Sequence, residues 1–235
     1  MLVFDKFNCA LMPICKAGSS SLITSIAEEA YGEECIASLK AEHEHSYGSV
    51  LRKKAATDFQ KCPCDPKVRE KIKNHFKFAF VKNPWHRIVS ACLQFRRWID
   101  SNAVKDDFKG LHLLKLYDLM NRDYSFENFV HFVKNVERNH TEYVNQHWRS
   151  QVGFLQIEAL PNCKTKYDFI GKLESAQEDY SYIADKLKFK NKAFPNLHHP
   201  EEYNYKDFYT NTQLIDDVGE YYTRDIDVFK YEFDK

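Results

Sequence analysis

The chain has 235 residues, 43% of them apolar and 15% aromatic, which is enough for one sizeable core and excludes a disordered chain. Lys plus Arg and Asp plus Glu balance at 34 each, which argues against a general nucleic-acid binder while leaving room for a local basic pocket. No apolar stretch approaches the roughly 20 residues that cross a bilayer, and the N-terminus lacks a basic, then apolar, then small-residue leader.

Residues 9–15 read as a short buried strand. A helix is expected over 19–31: Leu22, Ile23, Ile26, Ala27 and Ala30 share one face, serines stand at its start, and Gly32 is its stop. The segment "FKFAFV" (76–81) reads as a second buried strand. A helix over 83–99 follows, with Asn83 as cap, Pro84 at the first helical position, and apolar residues at 85, 88, 89, 92, 95 and 99. The polar stretch 100–125 reads as a loop-rich insertion, and 125–139 as an amphipathic helix. "YDFIG" (167–171) is a short strand before a helix over about 174–188. A polar, aromatic loop spans 191–209, and a last helix starts near Thr212. Strands alternating with helices imply an α/β fold: one P-loop-like domain over 1–235, with a central parallel sheet flanked by helices.

The seven cysteines (9, 15, 35, 62, 64, 92 and 163) are odd in number and unevenly spaced, so they do not form a disulfide framework. Cys62 and Cys64 in "KCPCD" lack a second Cys/His pair at zinc spacing, and no metal site is expected.

Two strand-to-helix turns carry the chemistry. A strand that runs through small residues into a helix presents backbone N–H groups and a helix dipole to an anion. In "PICKAGSSSL", Gly18 allows close approach, Ser19, Ser20 and Ser21 add hydroxyls, and Lys16 adds a mobile charge. The Walker pattern, G-x-x-x-x-G-K-[ST], is not met: the first glycine is missing and the lysine lies on the other side. In "FVKNPWHRIVSAC", Lys82 stands at the strand end, and Arg87 and Ser90 lie three apart on the helix. Each turn has a plainer reading, a serine helix cap for the first and a structural salt bridge for Arg87. Together they suit a ligand with two separate phosphates.

These motifs resemble those of sulfotransferases that use 3′-phosphoadenosine 5′-phosphosulfate (PAPS), in the carbohydrate branch that includes the chondroitin 4-O and heparan 2-O enzymes. The resemblance continues through "HWRSQ" (147–151), "CKTKYDFIGKLESAQEDYSYI" (163–183) and the tail "YKDFYTNTQLIDDVGEYYTRDIDVFKYEF". It implies sulfuryl transfer to a hydroxyl of a carbohydrate or other small molecule, without a metal and with adenosine 3′,5′-bisphosphate as product. By resemblance, Lys16, Ala17, Gly18, Ser19, Ser20 and Ser21 hold the 5′-phosphosulfate, with Lys16 the electrostatic catalyst. Lys82, Arg87 and Ser90 match the 3′-phosphate motif, in which Arg87 either binds phosphate or braces the turn. The base candidates are His147 in "HWRSQ" and His43 and His45 in "AEHEHSYG". Trp148 reads as core or as a platform for a sugar. The family text usually has Pro where Cys15 stands and Arg-Asp where Lys82-Asn83 stand. A P-loop kinase-like phosphotransferase and a non-catalytic nucleotide-binding homologue are the competing readings. The chain is expected in the cytoplasm if it is complete, and in the Golgi lumen if an anchor has been removed.

Overall fold

Strand and helix boundaries follow the places where the apolar period of the sequence changes. The computed structural model describes residues 1–32, 34, 37, 58–59, 66–100, 115–139, 145–155, 165–195 and 203–234. The chain divides into two compact units, one of residues 1–82 and 151–200 and one of residues 83–150 and 201–235.

The first unit is built on a five-stranded sheet. Its strands are β1 (Leu2–Phe4), β2 (Cys9–Met12), β3 (Asp58–Phe59), β4 (Phe76–Val81) and β5 (Phe169–Lys172), in the order β3-β1-β2-β4-β5. β2, β4 and β5 run parallel, which bears out the α/β reading, with Met12 beside Ala79 and Val81 beside Lys172. The sequence reading had not found β1 or β3; both pair antiparallel and make the sheet mixed. The hairpin from β1 to β2 closes through Asn8 at φ 50°, a left-handed conformation that Asn tolerates well.

In this unit, α1 (Ser19–Tyr31) was expected and the short α2 (Pro66–Lys71) was not. Leu22, Ile23, Ile26 and Ala27 of α1 are buried in one cluster with Leu2, Phe4, Cys9, Leu11, Phe78 and Phe80 of the sheet. Each such side chain contributes about 1.5–3 kcal/mol through burial. Val3, Ala10, Ala79 and Val81 point to the other sheet face and are buried too, as the apolar runs of β2 and β4 require.

The motif "YDFIGKLESAQED" has a structural explanation. The Asp168 carboxylate accepts from Lys77 N–H (2.7 Å), and Asp168 N–H donates to the Lys77 carbonyl (2.7 Å), fixing the start of β5 against β4. A Cβ on Gly171 would come within 2.9 Å of the Phe80 ring, so the close approach excludes a side chain there. Asp179 accepts from Lys172 N–H (2.6 Å) and Ser175 Oγ (2.8 Å), tying the end of β5 to the helix that follows.

The second unit is helical. Its first two labelled helices are α3 (Pro84–Asp100) and α4 (Phe126–Asn139). In the first unit, α5 (Gln151–Leu155) and α6 (Ala176–Leu187) follow; in the second, α7 (Thr212–Tyr221) and α8 (Thr223–Phe229). The break at Tyr222 was not expected. α7 packs on α3 and α4. Lys134 of α4 bridges Asp217 and Glu220 of α7, both at 2.6 Å. The hydrogen bond from Lys134 is the main cause that holds the Asp217 carboxyl below its usual range. Trp148 is fully buried, with Phe129 and Phe132 edge-on to it, so it is core and not a sugar platform. Of the stretch 100–125, residues 115–119 are helical and 101–114 lie outside the described residues. No described helix is long and apolar enough to cross a membrane.

Candidate functional site

The first turn follows β2. The chain leaves the sheet at Met12, and Ala17 N–H donates to the Ile14 carbonyl (3.2 Å). Lys16 then sits at φ 67° and Gly18 at φ 75°, both left-handed. For lysine that conformation costs on the order of 1 kcal/mol. Gly18 is required there twice over. Its φ disfavours any side chain, and a Cβ would come within 2.9 Å of Leu173 Cδ1. α1 begins directly behind it with no side-chain cap. The serines expected as caps do not cap: Ser19 and Ser21 are buried and Ser20 half-buried within the first turn. Lys16 is half-buried beside them, and Ala17 is buried.

The second turn follows β4, the parallel neighbour of β2, so both turns leave the same edge of the sheet. Lys82 is 7% exposed. Gln151 clamps its backbone: Lys82 N–H donates to Gln151 Oε1 (2.9 Å), and Gln151 Nε2 donates to the Lys82 carbonyl (2.8 Å). Gln151 is fully buried, and sequence reasoning missed its role although it closes the quoted "HWRSQ". The only hint was its place in that motif, since a pairing across 69 residues has no local signal.

Past Lys82 the chain belongs to the helical unit. Asn83 caps α3 as expected, its Oδ1 accepting from Trp85 N–H (3.0 Å), and its Nδ2 donates to the Glu232 carbonyl (2.9 Å). Arg87 is fully buried. Its Nη1 donates to the Arg149 carbonyl (2.9 Å) and its Nη2 to the Gln146 carbonyl (3.3 Å). Of the two roles open to Arg87, these bonds display the brace. Ser90 Oγ donates to the His86 carbonyl (3.1 Å) and lies 2.8 Å from the Tyr203 hydroxyl.

The loop that Arg87 braces carries His147, half-buried and edge-on to Trp98 at 4.8 Å. His147 N–H donates to Asn145 Oδ1 (3.0 Å), which fixes that oxygen as the acceptor. His147 Nδ1 lies 2.6 Å from the same oxygen and must therefore donate to it. The neutral ring then carries its proton on Nδ1 and its lone pair on Nε2, the tautomer a general base needs. His43 and His45 lie outside the described residues, as do Cys62 and Cys64. Cys9, Cys15 and Cys92 are free thiols; burial pushes Cys9 and Cys92 up to about 12, which keeps both from acting as nucleophiles at neutral pH. Among the described residues no group of three or more His, Cys, Asp or Glu is placed to hold a metal ion.

Comparison with known proteins decides what kind of molecule carries these turns. The sequence pattern described as "Sulfotransferase family" matches residues 2–232. The chain belongs to the sulfotransferase family. Carbohydrate sulfotransferase 9 of Homo sapiens is 27% identical over 229 residues, covering 91% of this chain and 46% of that protein. Carbohydrate sulfotransferase 11 of Rattus norvegicus is 26% identical over 129 residues, covering 50% and 34%. Carbohydrate sulfotransferase 14 of Danio rerio is 25% identical over 128 residues, covering 51% and 32%. This sulfotransferase-family chain spans less than half the length of the curated relatives it matches. No solved structure matches it.

Proposed function

We propose that this chain, as one sulfotransferase domain, moves a sulfuryl group from PAPS to a hydroxyl of a carbohydrate. The observation that carries the reading is the β2–α1 turn, where two left-handed residues, Lys16 and Gly18, stand before a helix with no side-chain cap. Such a turn offers backbone N–H groups, a helix dipole and an ammonium, the donor chemistry that a 5′-phosphosulfate requires. The nucleotide fits this set. When bound, it supplies a sulfuryl group whose bond to the 5′-phosphate oxygen breaks as a bond to the acceptor oxygen forms.

The chain's own residues do the rest. The N–H groups of Gly18 to Ser21 hold the 5′ side, with Ala17 shaping the turn. Lys16 neutralises charge where the phosphate oxygen departs, an electrostatic role that needs no proton transfer. Lys82 and Ser90 bind the 3′-phosphate, while Arg87 holds the 145–150 loop in place. His147 Nε2 takes the acceptor hydroxyl's proton, and Asn145 fixes the ring tautomer.

Two measurements on the wild-type chain test this. Adenosine 3′,5′-bisphosphate is expected to raise the melting temperature, and magnesium-ATP to leave it unchanged. Label from PAPS is expected on a carbohydrate hydroxyl, with transfer reduced about 10²–10⁴-fold in His147→Ala. Stabilisation by magnesium-ATP alone would favour the kinase-like reading. Bisphosphate binding without transfer to any carbohydrate would favour a non-catalytic homologue.

A further inference from the structure

The Ser90 hydroxyl lies 3.1 Å from the His86 carbonyl and 2.8 Å from the Tyr203 hydroxyl. With the Ser90 proton on that carbonyl, the Tyr203 O–H donates to Ser90 Oγ. Its ring is held in place on two sides, edge-on to His86 at 5.9 Å and to Phe208 at 5.7 Å. His86 is itself stacked on Tyr205 at 4.9 Å, and the Tyr205 hydroxyl donates to the Phe233 carbonyl. The phenol ring is packed within this cluster, and its O–H can rotate about the C–O bond. Burial raises the Tyr203 pKa above its ordinary value, so the hydroxyl keeps its proton at neutral pH.

We propose that Tyr203 is the second hydroxyl of the 3′-phosphate site: its O–H turns from Ser90 Oγ to a phosphomonoester oxygen when the nucleotide binds. This deepens the sulfotransferase reading and rests on it. A neutral serine oxygen is a weaker acceptor than a phosphate dianion, and charge-assisted bonds are about twice as strong, so the exchange favours the ligand. Ser90 loses only an accepted bond, and its own proton turns from the His86 carbonyl, which keeps its partner within the helix, to the same phosphate, so no buried donor is stranded.

The test is calorimetric titration of wild type and Tyr203→Phe with adenosine 3′,5′-bisphosphate and with adenosine 5′-monophosphate. Phenylalanine keeps the ring contacts and removes only the hydroxyl, and an unchanged melting temperature checks that the cluster survives. Affinity of Tyr203→Phe for the bisphosphate is expected to fall about tenfold, with the monophosphate unchanged within about twofold. Unchanged bisphosphate affinity overturns the proposal, and so does tighter binding, because Tyr203 would then only block Ser90. An equal loss for both ligands also overturns it. If wild type binds the two nucleotides equally, the sulfotransferase reading of the second motif fails instead, which separates the two claims.

Discussion

The two strand-to-helix turns leave the same edge of one sheet yet are built oppositely. The β2–α1 turn is held by its backbone: Lys16 and Gly18 are left-handed, and no side chain caps the helix. The β4–α3 turn is held by side chains: Gln151 pairs both polar groups of the Lys82 backbone, and Asn83 caps the helix. On the proposed reading, the first turn would hold its ligand through main-chain N–H groups and the second through side chains. A backbone cradle gives position and shape, whereas side-chain charges give selectivity for one phosphate over another.

Breaking the second turn at its clamp is expected to have the largest effect on stability. Gln151→Ala strands a buried N–H and a buried carbonyl of Lys82, at about 2–4 kcal/mol together. Denaturant unfolding measures it, and a loss below about 0.5 kcal/mol would mean the clamp is incidental. Lys82→Ala sharpens the contrast in selectivity. Loss of one charged contact is expected to cost about 1.5–3 kcal/mol of bisphosphate affinity and little of monophosphate affinity. Equal losses in calorimetry would remove Lys82 from the 3′ side. Gly18→Ala tests the backbone cradle with the smallest expected effect, a loss of about 1–2 kcal/mol for a left-handed alanine. The close Leu173 contact adds to it, and an unfolding curve identical to wild type would show that the turn can relax.

Much of this was legible in the sequence where punctuation is strong. Gly18 and Gly32 bracket α1, and Asn83-Pro84 mark the start of α3, so both helices fall within a residue of expectation. β2 stops at Met12, short of the expected residue 15, because the chain must turn before the left-handed Lys16. β1 was hidden because three apolar residues carry no period. The local geometry of the candidate site was legible where a motif carries it, as at Gly18 and Asn83. It was not where it depends on long-range partners. Gln151 reaches across 69 residues to Lys82, and Tyr203 across 113 to Ser90. The partners of Arg87 are carbonyls, which leave no trace in side-chain text.

The most direct test of the account is single-turnover sulfuryl transfer from PAPS by Lys16→Ala, with bisphosphate affinity measured on the same protein. The proposed function puts Lys16 where negative charge grows as the sulfuryl group departs, so its contribution should belong to the transition state more than to binding. Transfer is expected to slow about 10²–10³-fold while bisphosphate affinity falls much less, because the N–H groups of α1 and the second motif remain. Near-wild-type transfer by Lys16→Ala would contradict the account at its centre and leave that lysine an ordinary charge beside an uncapped helix.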